Sequence, residues 1–441
     1  FRPPMIVALR SPARCRRRGA SVHKRFHRLG TDADAVDVIR SPTIYTREKE
    51  YPMGKVAIIG VGQSKFVRKY PGSIRELAFE GFKEAITDAG ITAKDIDASV
   101  FCSAPEYDKQ RSPSAVIAEY LGLNPQPTFY VESLCSSSST GLKLAYSMVS
   151  SGVHDMVAVI GLQKMSEISS AESQERMGRG ADIQWESPFG TMMPAYYAMH
   201  AQAHMAKYGT KPEDLAAVRV KAATYGQIND RAVYRKPVSL DMFTDPENMM
   251  SGPVSSPLRV GDCCANADGT SCLIVANEEK AKLFSKKPVW ILGVGAASAS
   301  VNLTGRDMLH GLKAAEQAAK KAYDMAGVGP KDIDVAEVHD CFTIAEMLAY
   351  EALGFAEPGG AKELIQSKET YKEGSIPVNV DGGLLSKGHP IGATGGSQVR
   401  TIVLQLRGEA GDMQVKDPQI GLVHNIGGVG IYGNVTILGN E

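Results

Sequence analysis

Two stretches of this chain occur twice, in the same order. "KVAIIGVGQSKF" from Lys55 returns as "PVWILGVGAASAS" from Pro288, so that Gly60 and Gly62 match Gly293 and Gly295. "DAGITAKDIDASVFC", ending at Cys102, returns as "MAGVGPKDIDVAEVHDC", ending at Cys341, with Gly90 matching Gly327. The offset between copies is nearly constant, which indicates a duplicated unit rather than chance composition. Each copy reads as an apolar strand, an amphipathic helix (Ser73 to Ala89; Met308 to Ala326) and a second strand, a pattern that implies parallel strands in α/β layers. Each then adds a second helix, from about Ser136 in one and after Gly388 in the other, followed by apolar strands such as "DMVAVIGL" and "IGLVHNIGGVGIYGNVTIL". Between Lys164 and Pro253 the pattern gives way to Met-, Gly- and Tyr-rich sequence with one expected helix, Tyr196 to Tyr208. That region reads as an inserted loop domain, after which the first unit resumes at "CLIVANEEKAKLF".

The 441 residues are 43% hydrophobic, enough for two or three domains with real cores. Lys plus Arg and Asp plus Glu both number 49, so no global field selects nucleic acid as a partner. No apolar run approaches the ~20 residues of a membrane span, and a soluble protein is expected. The seven cysteines lack CxxC or a Cys/His zinc spacing, which favours a reducing compartment and gives no metal site. Arg and Lys crowd the first 31 residues and the first acid is Asp32, a composition that resembles an organellar transit peptide; a mitochondrial address is expected. The "GVGQS" turn does not complete the dinucleotide fingerprint, and no such cofactor is expected there.

Reactive side chains follow predicted strands. In "VESLCSSSSTGLKLAYSMVSSG", Cys135 stands between a β-branched and aromatic run and a helix with Leu142, Ala145, Tyr146 and Val149 on one face. A cysteine at a helix N-terminus meets unpaired N–H groups and the macrodipole, which favour a thiolate; a small buried hydrophobe beside a serine-capped helix is the alternative. "VAEVHDCFTIAEMLAYEALG" sets His339, Asp340 and Cys341 at a strand-to-helix junction. "DGGLLSKGHPIGATGG" sets His389 in a glycine-rich turn, and "LVHNIGGVGIYG" sets His424 ahead of glycines whose N–H groups can face an anion.

The duplicated α/β unit with "CSSSSTG", "HDCF", "GHPIGATGG" and "HNIGGVG", in this order, resembles a thiolase, and "HDCF" resembles the sterol-carrier-protein X type of 3-ketoacyl-CoA thiolase. The resemblance covers roughly Lys55 to Glu441, without a sterol-carrier domain. It implies the thiolase fold: two βαβαβαββ halves in α-β-α-β-α layers, residues 55–165 with 253–287 and residues 288–441, plus a loop domain at 166–252 and a basic extension at 1–54. It implies acyl transfer between coenzyme A thioesters through an acyl-Cys135, with acyl-CoA and CoA as substrates, no separate cofactor, and a homodimer. By the same resemblance His389 activates the nucleophile, Cys341 moves the α-proton, and His339 belongs to an oxyanion hole with His389. A second hole is formed by the amides of Cys135 and Gly427, with Gly428 as the alternative. Most thiolases carry a C-x-G cysteine where this chain has "HNIGG", which leaves the role of His424 open. A decarboxylating ketoacyl synthase using His389 and His424, and a non-catalytic acyl-CoA carrier, are the rival readings.

Overall fold

The computed structural model describes residues 54–440 apart from 106, 108, 109, 191 and 286, so the expected targeting segment lies outside the described residues except for Gly54. The first half runs β1 (Val56–Gln63), α1 (Ile74–Ala89), β2 (Ala98–Cys102), α2 (Pro113–Tyr120), β3 (Thr128–Val131), α3 (Ser137–Ser150) and β4 (Met156–Gln163). Three helices follow: α4 (Ser170–Gly178), α5 (Met193–Tyr208) and α6 (Pro212–Ile228). The half then closes with β5 (Gly269–Asn277) and α7 (Glu278–Phe284). The second half runs β6 (Val289–Ser298), α8 (Lys313–Ala326), β7 (Val335–Glu337), α9 (Thr343–Ala352), α10 (Ala361–Gln366), α11 (Gly383–Lys387), α12 (Thr394–Arg407), β8 (Ile420–Gly427) and β9 (Tyr432–Gly439).

The strands form one sheet in the order β3-β2-β4-β5-β1-β6-β9-β8-β7. Reading outward from the β1–β6 seam, the halves are equivalent: β1 matches β6, β5 matches β9, β4 matches β8 and β2 matches β7. The partner of β3 shrinks to a single parallel bridge, Ala336 to Val378. The strands of each strand–helix–strand unit run in parallel as expected, β1 with β2 and β6 with β7, but they are not neighbours and the sheet is mixed. β2 pairs in parallel with β3 and β4, and β8 with β7, but β1, β5, β6 and β9 pair antiparallel. β1 and β2 do run the same way, yet β5 and β4 lie between them.

The duplicated glycines have a packing cause. A Cβ on Gly60 or Gly62 would stand 2.3 or 2.1 Å from carbonyl oxygens of α1, and one on Gly293 or Gly295 would stand 2.3 or 1.8 Å from those of α8. The repeated Gly-x-Gly thus seats a helix directly on a strand. Gly90 and Gly327 cap α1 and α8 in the left-handed region, φ 68° and 69°, where other L-residues are strained.

Helices α3 and α12 lie together between the strands of the two halves, touching β1, β4 and β5. Val100, Leu142, Val159, Leu273, Ile402 and Val423 pack in one buried cluster there. α1, α2 and α7 cover the outer face of the first half around Ile59, Phe82 and Ile274. α8 and α9 cover the second half together with α5 and α6. The α-β-α-β-α layering follows. In the inserted region α5 includes the expected helix, whereas α4 and α6 were not anticipated. α6 buries Leu215, Val218 and Ala222 but also Arg219 and Lys221, so its sequence carries no clean apolar stripe.

Candidate active site

Cys135 sits in a 3-10 turn, Leu134–Ser136, that runs into α3. Leu134 holds a left-handed φ of 54°, uncommon for a branched side chain and costly enough to require support from its surroundings. The serine run provides it. Ser136 Oγ donates to Ser133 O (2.8 Å), Ser137 Oγ donates to Leu134 O (2.7 Å), and Ser138 Oγ accepts from the Gly396 amide at the start of α12 (2.9 Å). A Cβ on Gly395 would stand 2.1 Å from Ser139 Oγ, so "GATGG" is the sequence that lets two helix N-termini meet at the nucleophile.

The segment around Cys263 and Cys264 ties the other two loops together. The Cys264 amide donates to Cys341 O (3.0 Å), Cys263 bridges Phe342, and the His389 amide donates to Ala265 O (3.0 Å). Asp340, whose carboxyl burial pushes up to about 8, accepts from the Leu384 and Leu385 amides and anchors the "HDC" loop on α11.

These supports bring Cys135 Sγ and one ring nitrogen from each of His339 and His389 within 4.8 Å of one another. The two imidazoles meet edge to face, centroids 5.1 Å apart at 85°. His389 Nδ1 bonds Thr394 Oγ1 (2.7 Å), whose proton goes to Pro390 O (3.0 Å). The Thr oxygen therefore accepts from His389 Nδ1–H, which leaves a lone pair on Nε2. His339 Nδ1 bonds Asn425 Nδ2 (2.9 Å). Among the described residues, the Nε2 atoms of both histidines have no hydrogen-bond partner. One thiol and two imidazoles at this spacing form a donor set a soft divalent cation could use. The same set suits a nucleophile, its base and an oxyanion donor.

The expectation that the helix terminus favours a Cys135 thiolate is not met. Burial pushes the thiol up to about 12, against the opposing pull of the Gly428 amide and its own amide. Burial likewise holds His389 and His424 near 3 and His339 well below its usual value, the last also under the influence of His389 and His424. Both shifts favour a neutral thiol beside a neutral imidazole. The amide that reaches the sulfur is that of Gly428, the alternative to Gly427. Gly427 instead packs against Ser133 O, where a Cβ would come within 2.3 Å.

Cys341 is buried beside this cluster, close enough to Cys135 and Cys264 for their charges to raise its thiol further above its usual value, after burial. Tyr197, from α5, was not singled out by sequence reasoning. It hydrogen-bonds the Cys341 thiol, donates Oη–H to Gly428 O (3.2 Å) and stacks on Phe342 at 4.6 Å. The apolar "YY" of "PAYYAMHAQ" gave no more signal than a core helix. His424 is fully buried and neither ring nitrogen has a hydrogen-bond partner among the described residues; the residue of "HNIGG" whose side chain enters the hydrogen-bond network is Asn425. A cavity of about 700 Å³ opens onto Cys135, walled by Leu134, Met177, Ile183, Met193 and Ile391, with Arg176 and Arg179 of the α4 segment at its polar side.

The chain matches the family model "Thiolase, N-terminal domain" over residues 56–251 and "Thiolase C-terminal domain-like" over residues 295–440. It is 38% identical over 380 residues to an acetyl-CoA acetyltransferase of Methanothermobacter thermautotrophicus, covering 86% of this chain and 97% of that protein. It is 32% identical over 397 residues to sterol carrier protein 2 of Oryctolagus cuniculus, covering 85% of this chain and 70% of that protein. Among solved structures, an "Ltp2-ChsH2(DUF35) aldolase" superposes with a TM-score of 0.76 at 26% identity, over 88% of this chain and 98% of that one. The chain belongs to the thiolase family and is an acyltransferase enzyme.

Proposed function

We propose that the protein is a 3-ketoacyl-CoA thiolase of the sterol-carrier-protein X type. It cleaves 3-ketoacyl-CoA with CoA in lipid and fatty acid metabolism and runs the reverse Claisen condensation. The convergence of Cys135, His339 and His389, with Cys341 alongside, carries this reading. Cys135 attacks the keto carbon while its proton passes to His389 Nε2. The carbon–carbon bond breaks, leaving an acyl-cysteine, and the departing acetyl-CoA carbanion takes a proton from Cys341. The Cys341 thiolate takes the proton of the incoming CoA thiol, the CoA sulfur takes the acyl group, and His389 returns its proton to the freed Cys135. His339 with His389 faces one thioester oxygen, and the Cys135 and Gly428 amides face the other. CoA and its thioesters are the small molecules the scheme uses. A ketoacyl synthase would pair His389 with His424, whereas His339 is the histidine beside His389 here.

CoA-dependent cleavage across short, long and branched 3-ketoacyl-CoAs is the test. Turnover of at least one class is expected; decarboxylative condensation with a malonyl thioester, and no thiolysis, would overturn the reading. The homodimer is proposed through β3, which ends the sheet with Phe129 and Tyr130 exposed; sedimentation showing a monomer would rule it out. Mitochondrial import by the basic segment rests on composition, and a reporter fused to residues 1–54 that stays in the cytosol would reject it.

A further inference from the structure

We infer that Asn425 is a positioning residue that fixes the tautomer of His339, holding its proton on Nε2 and so separating the roles of the two histidines. The inference rests on the thiolase reading of the site. Its starting point is a backbone carbonyl, which can only accept. His424 O takes a hydrogen bond from Gln398 Nε2 (3.2 Å), so Gln398 Oε1 is the atom turned toward Asn425, and only the Asn425 Nδ2 amide can face it (2.9 Å). Ser139 Oγ donates to Asn425 Oδ1 (3.1 Å), a bond consistent with the orientation that Gln398 sets. The second Nδ2 proton then points at His339 Nδ1 (2.9 Å), which must be the unprotonated nitrogen. All four side chains are buried, so water does not compete for these bonds.

The result is a pair of histidines with opposite tautomers. Thr394 leaves His389 with a lone pair on Nε2, suited to take the Cys135 proton. Asn425 leaves His339 with an N–H on Nε2, suited to donate to a thioester oxygen. Without Asn425, nothing among the described residues fixes the tautomer of His339.

Asn425→Asp tests this with an isosteric change that replaces the donor by an acceptor. The carboxylate captures a proton on His339 Nδ1, and neutral His339 then presents a lone pair to the oxyanion. Loss of one such donor should lower kcat by about 10²-fold at pH 8, with KM changed much less. Lowering the pH should recover part of the activity in the variant, because the imidazolium carries N–H on both nitrogens. His389 and His424, the titratable rings facing His339, stay neutral there because burial holds both near 3. Nitrogen NMR of histidine-labelled wild-type enzyme should show His339 Nδ1 unprotonated, and protonated in the variant. Asn425→Ala, which removes the donor without adding charge, should lose about tenfold and keeps the test decisive if the aspartate variant does not fold. A protonated Nδ1 in the wild type, or unchanged kcat in both variants, would overturn the inference. Failure of the thiolase reading shows separately, as wild-type enzyme that acetyl-CoA does not acylate at Cys135.

Discussion

Cys135→Ala is expected to lose thiolysis by about four orders of magnitude or more while keeping its fold and melting behaviour, the scale on which removal of a covalent nucleophile is felt. The side chain is part-exposed at the end of the cavity and its loss opens no void in the core, so stability should change little. Cys102 and Cys272 are buried in strands, and Cys341 lies deeper than Cys135, under Tyr197. Mass spectrometry after incubation with acetyl-CoA should show an acetyl adduct on wild-type enzyme and none on the variant. Turnover or labelling by the variant would remove Cys135 from the mechanism. A neutral thiol beside a neutral imidazole predicts a second behaviour. With the thiol near 12 and His389 near 3, alkylation of Cys135 by iodoacetamide should keep rising with pH above 7. A plateau near neutrality would mean a standing thiolate–imidazolium pair instead.

The duplication was legible because its most demanding positions admit only glycine. Gly62 and Gly295 lie under helix carbonyls, and Gly90 and Gly327 turn through left-handed backbone; neither requirement tolerates a side chain, so both copies display it in the sequence. The seam between halves was not legible. It consists of an antiparallel contact between β1 and β6 that reaches only Ala57–Trp290 and Ile58–Val289, too short to leave a pattern. The reactive cysteines and histidines could be found by their chemistry and their place after strands. Tyr197 and Asn425 could not, because a tyrosine within an apolar helix and an asparagine within a strand look alike whether they fill space or orient a neighbour. Burial misled in the other direction. Local sequence shows Cys135 at a helix terminus, but the low-dielectric pocket that raises its thiol is assembled from Tyr107, Met177 and Ile391, residues far apart in the chain.

Cys341→Ala is expected to leave acylation of Cys135 by acetyl-CoA largely intact while slowing α-proton exchange and condensation by about 10²-fold or more, the usual size of a general acid–base contribution. During condensation Cys135 carries the acyl group and cannot also hold the α-proton, so a second acceptor must lie within reach of the same thioester. Cys341 meets that requirement: it lies close enough for charge on Cys135 to act on its thiol, and Tyr197, whose own proton goes to the Gly428 carbonyl, holds it by a hydrogen bond. His424 fits less well, since its ring has no hydrogen-bond partner among the described residues to orient it. His424→Ala should therefore slow exchange far less than Cys341→Ala. Deuterium incorporation from heavy water into acetyl-CoA separates the two, because exchange needs the α-proton step and not carbon–carbon bond formation. Normal exchange in Cys341→Ala with exchange lost in His424→Ala would transfer the acid–base role to the histidine. That outcome would turn the site toward the two-histidine chemistry of a ketoacyl synthase, with Cys341 reduced to a packing residue under Tyr197.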